Sequence, residues 1–228
     1  MAEKVLISIP CRDTISVRFV EHLMNLEKPC ECMYRFGTSG LVFDARDEAC
    51  SIALSGKYTH VLFIDSDMYF EPKALIKALE RKADIVTGLY FKRKDNHEPV
   101  LYKAIDQRQY KADGSVKLHG YAEIETDLNR DYFPVEGCGF GFVLVRTEVL
   151  KKVHEKYVSW FEPMPGLGED LSFCQRLKDF NIPIMCDTTI SLGHYGEYIF
   201  TARDWVQKED DGISIEWYSQ NDSVGERL

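Results

Sequence analysis

The chain has 228 residues, of which 45% are hydrophobic and 29% charged. This balance predicts a globular domain with a substantial core and excludes collagen-like, low-complexity and wholly disordered chains. The 28 Lys and Arg against 37 Asp and Glu give a net charge of −9, which repels nucleic-acid backbones and anionic lipid, so neither is the expected partner.

The first half of the chain alternates strand and helix patterns. An apolar run over 5–10, closed by Pro10, predicts a strand, and helical spacing of apolar residues over 17–24 predicts a helix. A second helix is expected over 45–54, followed directly by an apolar strand over 59–64. Because that strand is apolar at successive positions, we expect both of its faces to be buried.

The alternation continues with a helix over 71–79, where Pro72 would occupy the first turn, and a strand over 84–90. Strands and helices at this interval predict an α/β fold with a largely parallel sheet and right-handed crossovers. We therefore expect a Rossmann-like central sheet flanked by helices.

Residues 92–131 are polar, and Asp113-Gly114 is typical of a hairpin turn, so this segment is predicted to be a β-rich excursion or arm inserted into the domain. We expect a single domain over residues 1–205 and a C-terminal arm or tail over 206–228, where acidic and polar residues dominate.

The later core elements follow the insertion. Residues 139–145 predict a buried strand, Thr147 is expected to cap the helix that follows it, and 169–180 predicts an amphipathic helix. A short strand over 182–186 is expected at a sheet edge, because Pro183 cannot donate to a strand in the middle of a sheet.

The seven cysteines are scattered, with no CxxC pair, and the N-terminal residues lack a signal-peptide core. The longest apolar runs are far shorter than the roughly 20 residues that span a bilayer. We therefore predict reduced thiols, a cytoplasmic location and no membrane span.

Two carboxylates separated by one small residue, Asp65-Ser66-Asp67, follow directly on the strand over 59–64. Ligands of open α/β sheets bind beyond the carboxyl ends of the strands, where these acids are expected to lie. Such a pair suits a divalent cation that also binds phosphate oxygens and waters. The alternative is an ordinary strand-to-helix turn with two solvated acids.

His194 lies between Gly193 and Gly196, which would let the backbone approach a ligand closely. An imidazole beside carboxylate ligands shifts the preferred metal from Mg²⁺ towards Mn²⁺. The alternative is a structural or surface histidine.

Glu169 and Asp170 open a predicted helix, where a carboxylate is stabilised in its ionised form and can serve as a general base. Helix capping explains the same pattern.

The glycines of 137–141 match neither a P-loop nor a dinucleotide fingerprint and are expected to admit a substrate ring or another backbone. Within them, Cys138 is interpreted as a small core residue rather than a nucleophile.

In order and spacing, these motifs resemble the GT-A glycosyltransferases, in particular small family-two-like members of bacteria and phages. The resemblance covers approximately residues 5–205. It is carried by these segments: Ile9-Pro10-Cys11-Arg12-Asp13, Ala45-Arg46-Asp47-Glu48, Phe63-Ile64-Asp65-Ser66-Asp67, Gly137-Cys138-Gly139-Phe140-Gly141, Gly168-Glu169-Asp170 and His194.

The resemblance implies a GT-A fold and a hexosyltransferase that uses a nucleoside-diphosphate sugar, with a UDP-sugar favoured over a GDP-sugar, and an acceptor hydroxyl of a carbohydrate or another molecule. The implied nucleotide-sugar-binding residues are Pro10, Arg12, Arg46, Asp65, Ser66, Asp67, Lys92 and Arg93. The family more often has a small polar residue where this chain has Asp47.

The same resemblance implies that Asp170, with Glu169 beside it, is the base of an inverting transfer. The cofactor would be Mn²⁺ or Mg²⁺, with Asp67, His194 and Asp65 as its protein ligands. The residues 92–131 would shape the acceptor site.

Two other classes share parts of this pattern. A nucleotidyltransferase would use the same carboxylates and release pyrophosphate. A non-catalytic module for nucleotides or sugars would bind its ligand even when divalent cations are chelated.

Overall fold

The computed structural model describes residues 2–93, 97–196 and 199–201, the last three by their backbone alone. The predicted tail over 206–228 lies outside these residues. In chain order the elements are β1 (Lys4–Pro10), α1 (Val17–Asn25), β2 (Glu31–Gly37), α2 (Val42–Ser55), β3 (His60–Ile64), β4 (Met68–Phe70), α3 (Ala74–Glu80), β5 (Ile85–Leu89), β6 (Leu101–Asp106), β7 (Gln109–Tyr110), β8 (Val116–Leu118), β9 (Tyr121–Ile124), β10 (Tyr132–Val135), β11 (Gly137–Cys138), β12 (Phe142–Arg146), α4 (Thr147–Lys156), α5 (Glu169–Lys178), β13 (Ile184–Tyr195) and β14 (Ile199–Thr201).

A central sheet runs in the order β10-β13-β5-β12-β3-β1-β2, and β4 and β14 pair with the last part of β13. Strands β1, β2, β3, β5 and β13 run in one direction, whereas β10 and β12 run in the other. The predicted α/β fold with a mostly parallel central sheet is therefore confirmed.

Helices cover both faces of this sheet, which explains why every residue of the central strands β3 and β5 is buried. In β3, Val61 and Phe63 join the core under α2, α4 and α5, whereas Leu62 and Ile64 join the core under α1 and α3. Side chains pack on both faces of β3, so the polar residues that follow Ile64 lie at the edge of the sheet.

The polar insertion forms small antiparallel sheets, as predicted. Strand β6 pairs with β9 and β11, and β7 pairs with β8. The predicted hairpin turn is closed by Lys111 N donating to Ser115 O at 2.7 Å, and Gly114 supplies the positive φ of +82°.

Two predictions of how helices begin were wrong in detail. Pro72 precedes α3 rather than occupying its first turn. Thr147 is the first residue of α4 and Arg146 is its N-cap; the Thr147 hydroxyl instead donates to Tyr58 O at 2.8 Å and so ties α4 to the start of β3. Helix α3 thus begins three residues later than predicted, and α4 begins one residue earlier.

The strand predicted over 182–186 is not at an edge. It extends over Ile184–Tyr195, between β10 and β5, and Pro183 lies just outside it. A proline at this place leaves every donor within the strand available, so the argument from Pro183 did not apply. Strands β2 and β4 had no counterpart in the sequence prediction.

All seven cysteines lie in the described part of the chain, and all are free thiols, as predicted. Cys138 is fully buried, and its Cys174 neighbour and its burial hold the pKa of its thiol well above the usual value, as expected for an inert core residue. Among the helices of the described residues, none has the length and apolar character needed to cross a bilayer.

Candidate active site

The carboxyl ends of β1 and β3 lie side by side and begin the site. The two strands are parallel with Ser8 opposite Phe63, which places Pro10 level with Asp65 two residues further on. Asp65 N donates to Gly141 O at 3.0 Å, so the first residue after β3 is still held against the segment that leads into β12. Arg12 lies in the exposed turn that follows β1.

One buried guanidinium binds three carboxylates at this edge. Arg46 Nη2 lies 2.9 Å from Asp65 Oδ1, and its Nη1 contacts Asp170 Oδ1 and, at 3.3 Å, Glu169 Oε1. The Arg46 side chain is 2% exposed, whereas the Asp170 side chain is 27% exposed. Arg46 therefore has almost no surface to offer a nucleotide directly, and the nucleotide contact that the resemblance implied for it stays a prediction.

Close packing of α2 on the sheet carries Arg46 to this position. A Cβ at Gly37 would lie 2.7 Å from the Ala45 Cβ, so glycine and alanine allow the helix to approach β2. The Arg46 guanidinium carbon then lies 5.5 Å from the ring centre of Phe140 and 5.7 Å from that of Phe161. Aromatic faces stabilise a desolvated cation.

Burial and ion pairing set the protonation of this cluster. Burial alone would lower the pKa of Arg46, but the three carboxylates outweigh it and the pKa is raised. Burial raises the pKa of Asp65 and, more strongly, that of Asp170 to about 6, while Arg46 opposes both shifts. Asp170 is thus an acid that changes charge just below neutral pH, as a general base requires.

Asp67 and His194 form a second group beside the first. His194 Nε2 lies 3.4 Å from Asp67 Oδ1, and Arg93 Nη1 lies 3.1 Å from Asp67 Oδ2. Burial acts to raise the pKa of Asp67, but the hydrogen bond and charge of His194 together with Arg93 lower it overall. The antiparallel pairing of β4 with β13 places His194 opposite Met68 and so next to Asp67, whose carbonyl accepts from Tyr195 N at 2.7 Å.

The donor chemistry of this pair fits a divalent cation. His194 Nδ1 lies 3.0 Å from Phe91 O, and because a carbonyl only accepts, Nδ1 carries a proton. Nε2, on the Asp67 side of the ring, is then the nitrogen that could bind a cation, and a backbone carbonyl on the other ring nitrogen is the usual support of a ligating histidine. Within the described residues no group of three or more His, Cys, Asp or Glu side chains could hold a metal ion. Asp67 and His194 offer one carboxylate and one imidazole, so a cation bound there would take its other ligands from phosphate and water.

Lys92 and Arg93, the two positively charged side chains predicted to bind the nucleotide sugar, have different partners. Arg93 contacts Asp67, whereas Lys92 Nζ pairs with Glu98 at 2.8 Å and lies 5.8 Å from the centre of the Tyr102 ring. The structure thus brings together Arg46, Asp65, Glu169 and Asp170 in one group and Asp67, Arg93 and His194 in another, joined through Ser66.

Asp47 is a residue of the site that the sequence interpretation treated only as a departure from the family. Its carboxylate accepts hydrogen bonds from Ser159 Oγ, from Trp160 N at 3.1 Å and from Phe161 N at 2.9 Å. It therefore holds the loop that places Phe161 beneath Arg46. Its partners lie more than 110 residues away in the chain, so no local pattern could have revealed this role.

The glycines of the 139–141 segment make room for a tyrosine rather than for a substrate ring. A Cβ at Gly139 would lie 2.3 Å from the Tyr90 hydroxyl oxygen, and a Cβ at Gly141 would lie 2.9 Å from it. Of the two expected occupants, a substrate ring or another backbone, the substrate ring is excluded at Gly139 and Gly141, because the buried side chain of Tyr90, which directly follows β5, fills the space.

The insertion packs against the loop before α5. Arg108 N donates to Pro165 O at 2.7 Å, and Gly120 is so close to Gly166 that a Cβ there would lie 2.7 Å from the Gly166 carbonyl oxygen. Gly166 has a φ of +84°, which favours glycine. The insertion therefore borders the loop from which Glu169 and Asp170 emerge.

Comparison with solved structures supports the fold. The crystal structure of A197 from STIV aligns with a TM-score of 0.62 over 95% of this chain and 100% of that chain, at 17% sequence identity. S. aureus TarS, residues 1–349, aligns with a TM-score of 0.47 over 82% of this chain and 60% of that chain, at 15% identity. No protein-family model and no curated protein sequence matches the chain. The chain shares its mixed α/β architecture with A197.

Proposed function

We propose that this chain is a metal-dependent, inverting glycosyltransferase that moves a hexose from a nucleoside-diphosphate sugar, with UDP favoured over GDP, to an acceptor hydroxyl. The observation that carries the proposal is the buried Arg46, which gathers Asp65 and Asp170 at the carboxyl edge of the sheet, directly beside the Asp67–His194 pair. Asp170, with its raised pKa, would remove the proton of the acceptor, and a cation held by Asp67 and His194 beside it would stabilise the charge of the leaving group.

On the donor side, Asp67 and His194 would hold Mn²⁺ or Mg²⁺, which when bound stabilises the negative charge that develops on the leaving diphosphate. Arg93 already lies 3.1 Å from Asp67 and adds positive charge at the same place. Asp65 uses Oδ1 to bind Arg46, which leaves Oδ2 for a ribose hydroxyl or a metal-bound water.

The remaining donor contacts come from the predicted nucleotide-binding residues at the same edge. Pro10 and Arg12 follow β1, Ser66 lies between the two acids, and Lys92 begins the insertion. The position of Pro10 level with Asp65 supports a nucleotide lying across the ends of β1 and β3.

On the acceptor side, Asp170 takes the proton of the attacking hydroxyl onto its carboxylate while that oxygen forms the bond to the anomeric carbon and the diphosphate leaves from the opposite face. Arg46 keeps Asp170 ionised near neutral pH despite its burial. Glu169 lies beside it on the first turn of α5 and shares Arg46. The bordering insertion would shape the acceptor site.

A ligand panel followed by one variant tests the proposal. UDP, GDP, CMP and their sugars are each added with Mn²⁺ and with chelator, and thermal unfolding is measured. A ligand at about 100 times its dissociation constant stabilises the native state by roughly 2.7 kcal/mol. We expect stabilisation by UDP that disappears on chelation; binding that survives chelation would favour a non-catalytic module.

Asp170→Asn then separates binding from chemistry. We expect it to keep the Mn²⁺-dependent UDP binding and to lose transfer by about 10²–10⁴-fold, the usual contribution of a general base. Transfer at the parental rate would exclude Asp170 as the base. Release of pyrophosphate instead of a nucleoside diphosphate would identify a nucleotidyltransferase.

A further inference from the structure

Tyr90 is a buried tyrosine that the chemistry above does not use. It directly follows β5 and is 3% exposed. Its hydroxyl oxygen accepts a hydrogen bond from Gly141 N at 3.0 Å, and this bond is itself buried. A buried hydroxyl that binds backbone instead of water fixes the position of that backbone.

The backbone that Tyr90 binds is also hydrogen-bonded to two residues of the Arg46 cluster, to the carboxylate of Asp170 and to the main chain of Asp65. Phe140 N donates to Asp170 Oδ2 at 3.2 Å, and Asp65 N donates to Gly141 O at 3.0 Å. The hydrogen bond from Gly141 N to Tyr90 therefore lies within the same two residues as the bonds to Asp170 and Asp65.

Glycine at 139 and 141 makes this contact specific to Tyr90. A Cβ at either position would lie within 3 Å of the Tyr90 hydroxyl oxygen, so only glycine allows the phenol to reach the Gly141 amide. The segment is pinned on its other side as well, because Gly139 N donates to Val100 O at 3.1 Å and Val100 N donates to Tyr90 O at 3.0 Å.

We infer that Tyr90 is a positioning residue: its hydroxyl holds the 139–141 segment, and that segment sets where the Asp170 carboxylate lies through Phe140 N and where the Asp65 backbone lies through Gly141 O. The link to turnover rests on the proposed function, whereas the link to the carboxylates rests on the geometry alone. The Tyr90 ring has a separate contact, edge to face with His194 at 5.7 Å between ring centres.

Tyr90→Phe isolates the hydroxyl because it keeps the ring, its volume and the contact with His194. Tyr58→Phe is the matched control, since Tyr58 lies beside Lys4 at the opposite end of the sheet. Amide hydrogen exchange measured by NMR reports the bond directly. We expect exchange at Gly141 to become about tenfold faster in Tyr90→Phe, the effect of losing one buried hydrogen bond, and to stay unchanged in the control.

The second readout is the titration of the Asp170 carboxyl carbon by NMR. The groups that act on it are Arg46, Asp65, Glu169, Tyr90, Tyr102 and Cys138, together with the Phe140 amide. The Phe140 N–H bond stabilises the ionised form, so loosening the segment should raise the Asp170 pKa in Tyr90→Phe relative to the parent.

The third readout is kinetic and separates the two proposals. With a donor found by the ligand panel, Tyr90→Phe should lower kcat and leave the donor KM and the Mn²⁺-dependent UDP binding close to the parental values. The pH at which kcat/KM rises should move to a higher value. Exchange and titration that match the Tyr58→Phe control would overturn the positioning role. Shifts in both readouts, in a protein that binds no nucleotide, would leave the positioning role standing and would reject the proposed function.

Discussion

Replacing Arg46 with methionine removes the cation from the cluster but keeps an unbranched, adaptable side chain between Phe140 and Phe161. The hydrogen bonds to Asp65 and Asp170 are both charge-assisted, and each such bond contributes roughly 1.5–3 kcal/mol, or about 3–6 kcal/mol together. The side chains of Asp65 and Asp170 are 32% and 27% exposed, so water replaces part of what they lose. We expect the free energy of unfolding to fall by about 3 kcal/mol at pH 8, at the low end for a broken buried ion pair.

The loss should shrink as the pH falls. Arg46 holds the pKa values of Asp65 and Asp170 below those that burial alone would produce, so both rise further in the variant. The native state of the variant then takes up protons that the parental native state does not take up in the same pH range. As the pH falls, the difference in free energy of unfolding between the parent and the variant therefore shrinks, by up to about 1.4 kcal/mol per pH unit for each such proton.

Urea unfolding at pH 5 and at pH 8 measures both effects. Arg35→Met is the matched control, because Arg35 pairs with Glu48 at 2.5 Å with both side chains more than a third exposed. We expect the control to lose under about 1 kcal/mol, with little dependence on pH. A loss in Arg46→Met no larger than in the control, or equal at both pH values, would refute the account of the buried cluster.

The remaining predictions concern the base, the cation pair and two structural positions. Because burial raises the pKa of Asp170 to about 6 and a base must be ionised, kcat/KM should rise with pH through about 6 and then level; a flat profile from pH 5 to 8 would contradict this assignment. Asp67→Asn should abolish the Mn²⁺-dependent thermal stabilisation by UDP, and undiminished stabilisation would exclude Asp67 as a ligand. Asp47→Ala should lower the free energy of unfolding by about 2 kcal/mol, since its three bonds to the 159–161 loop are lost; a change under about 0.5 kcal/mol in urea unfolding would show that the loop does not need them. Gly139→Ala should cost about 1–3 kcal/mol through its contact with the Tyr90 hydroxyl, and adding Tyr90→Phe should restore part of it; additive losses in the double variant would contradict the contact.

Local sequence patterns located the carboxylates of the candidate site. A five-residue buried strand ends at Ile64, so the position of Asp65 and Asp67 at the sheet edge followed from the apolar run alone. Glu169 and Asp170 lie in the first turn of α5, as predicted from their place before an amphipathic pattern. The roles assigned to these residues remain predictions.

The elements that were missed lack such a pattern or are too short. Strand β2 lies at the edge of the sheet, where Met33 and Phe36 remain exposed, so burial imposed no clear alternation on it. Strand β4 has three residues and exists because it pairs with β13. That pairing also places His194 beside Asp67, and it could not be inferred from a histidine between glycines.

The amino-acid sequence by itself determined the alternation of strands and helices, the polar insertion and the points where acids follow buried elements, because hydrophobic periodicity acts over a few neighbouring residues. Only the tertiary structure decided which charges meet. Arg46 reaches Asp170 across 124 positions of the chain, and Tyr90 reaches Gly141 across 51. Such contacts arise when α2 and α5 pack against the sheet that contains β5, and a pairing between distant residues leaves no periodic trace in the chain.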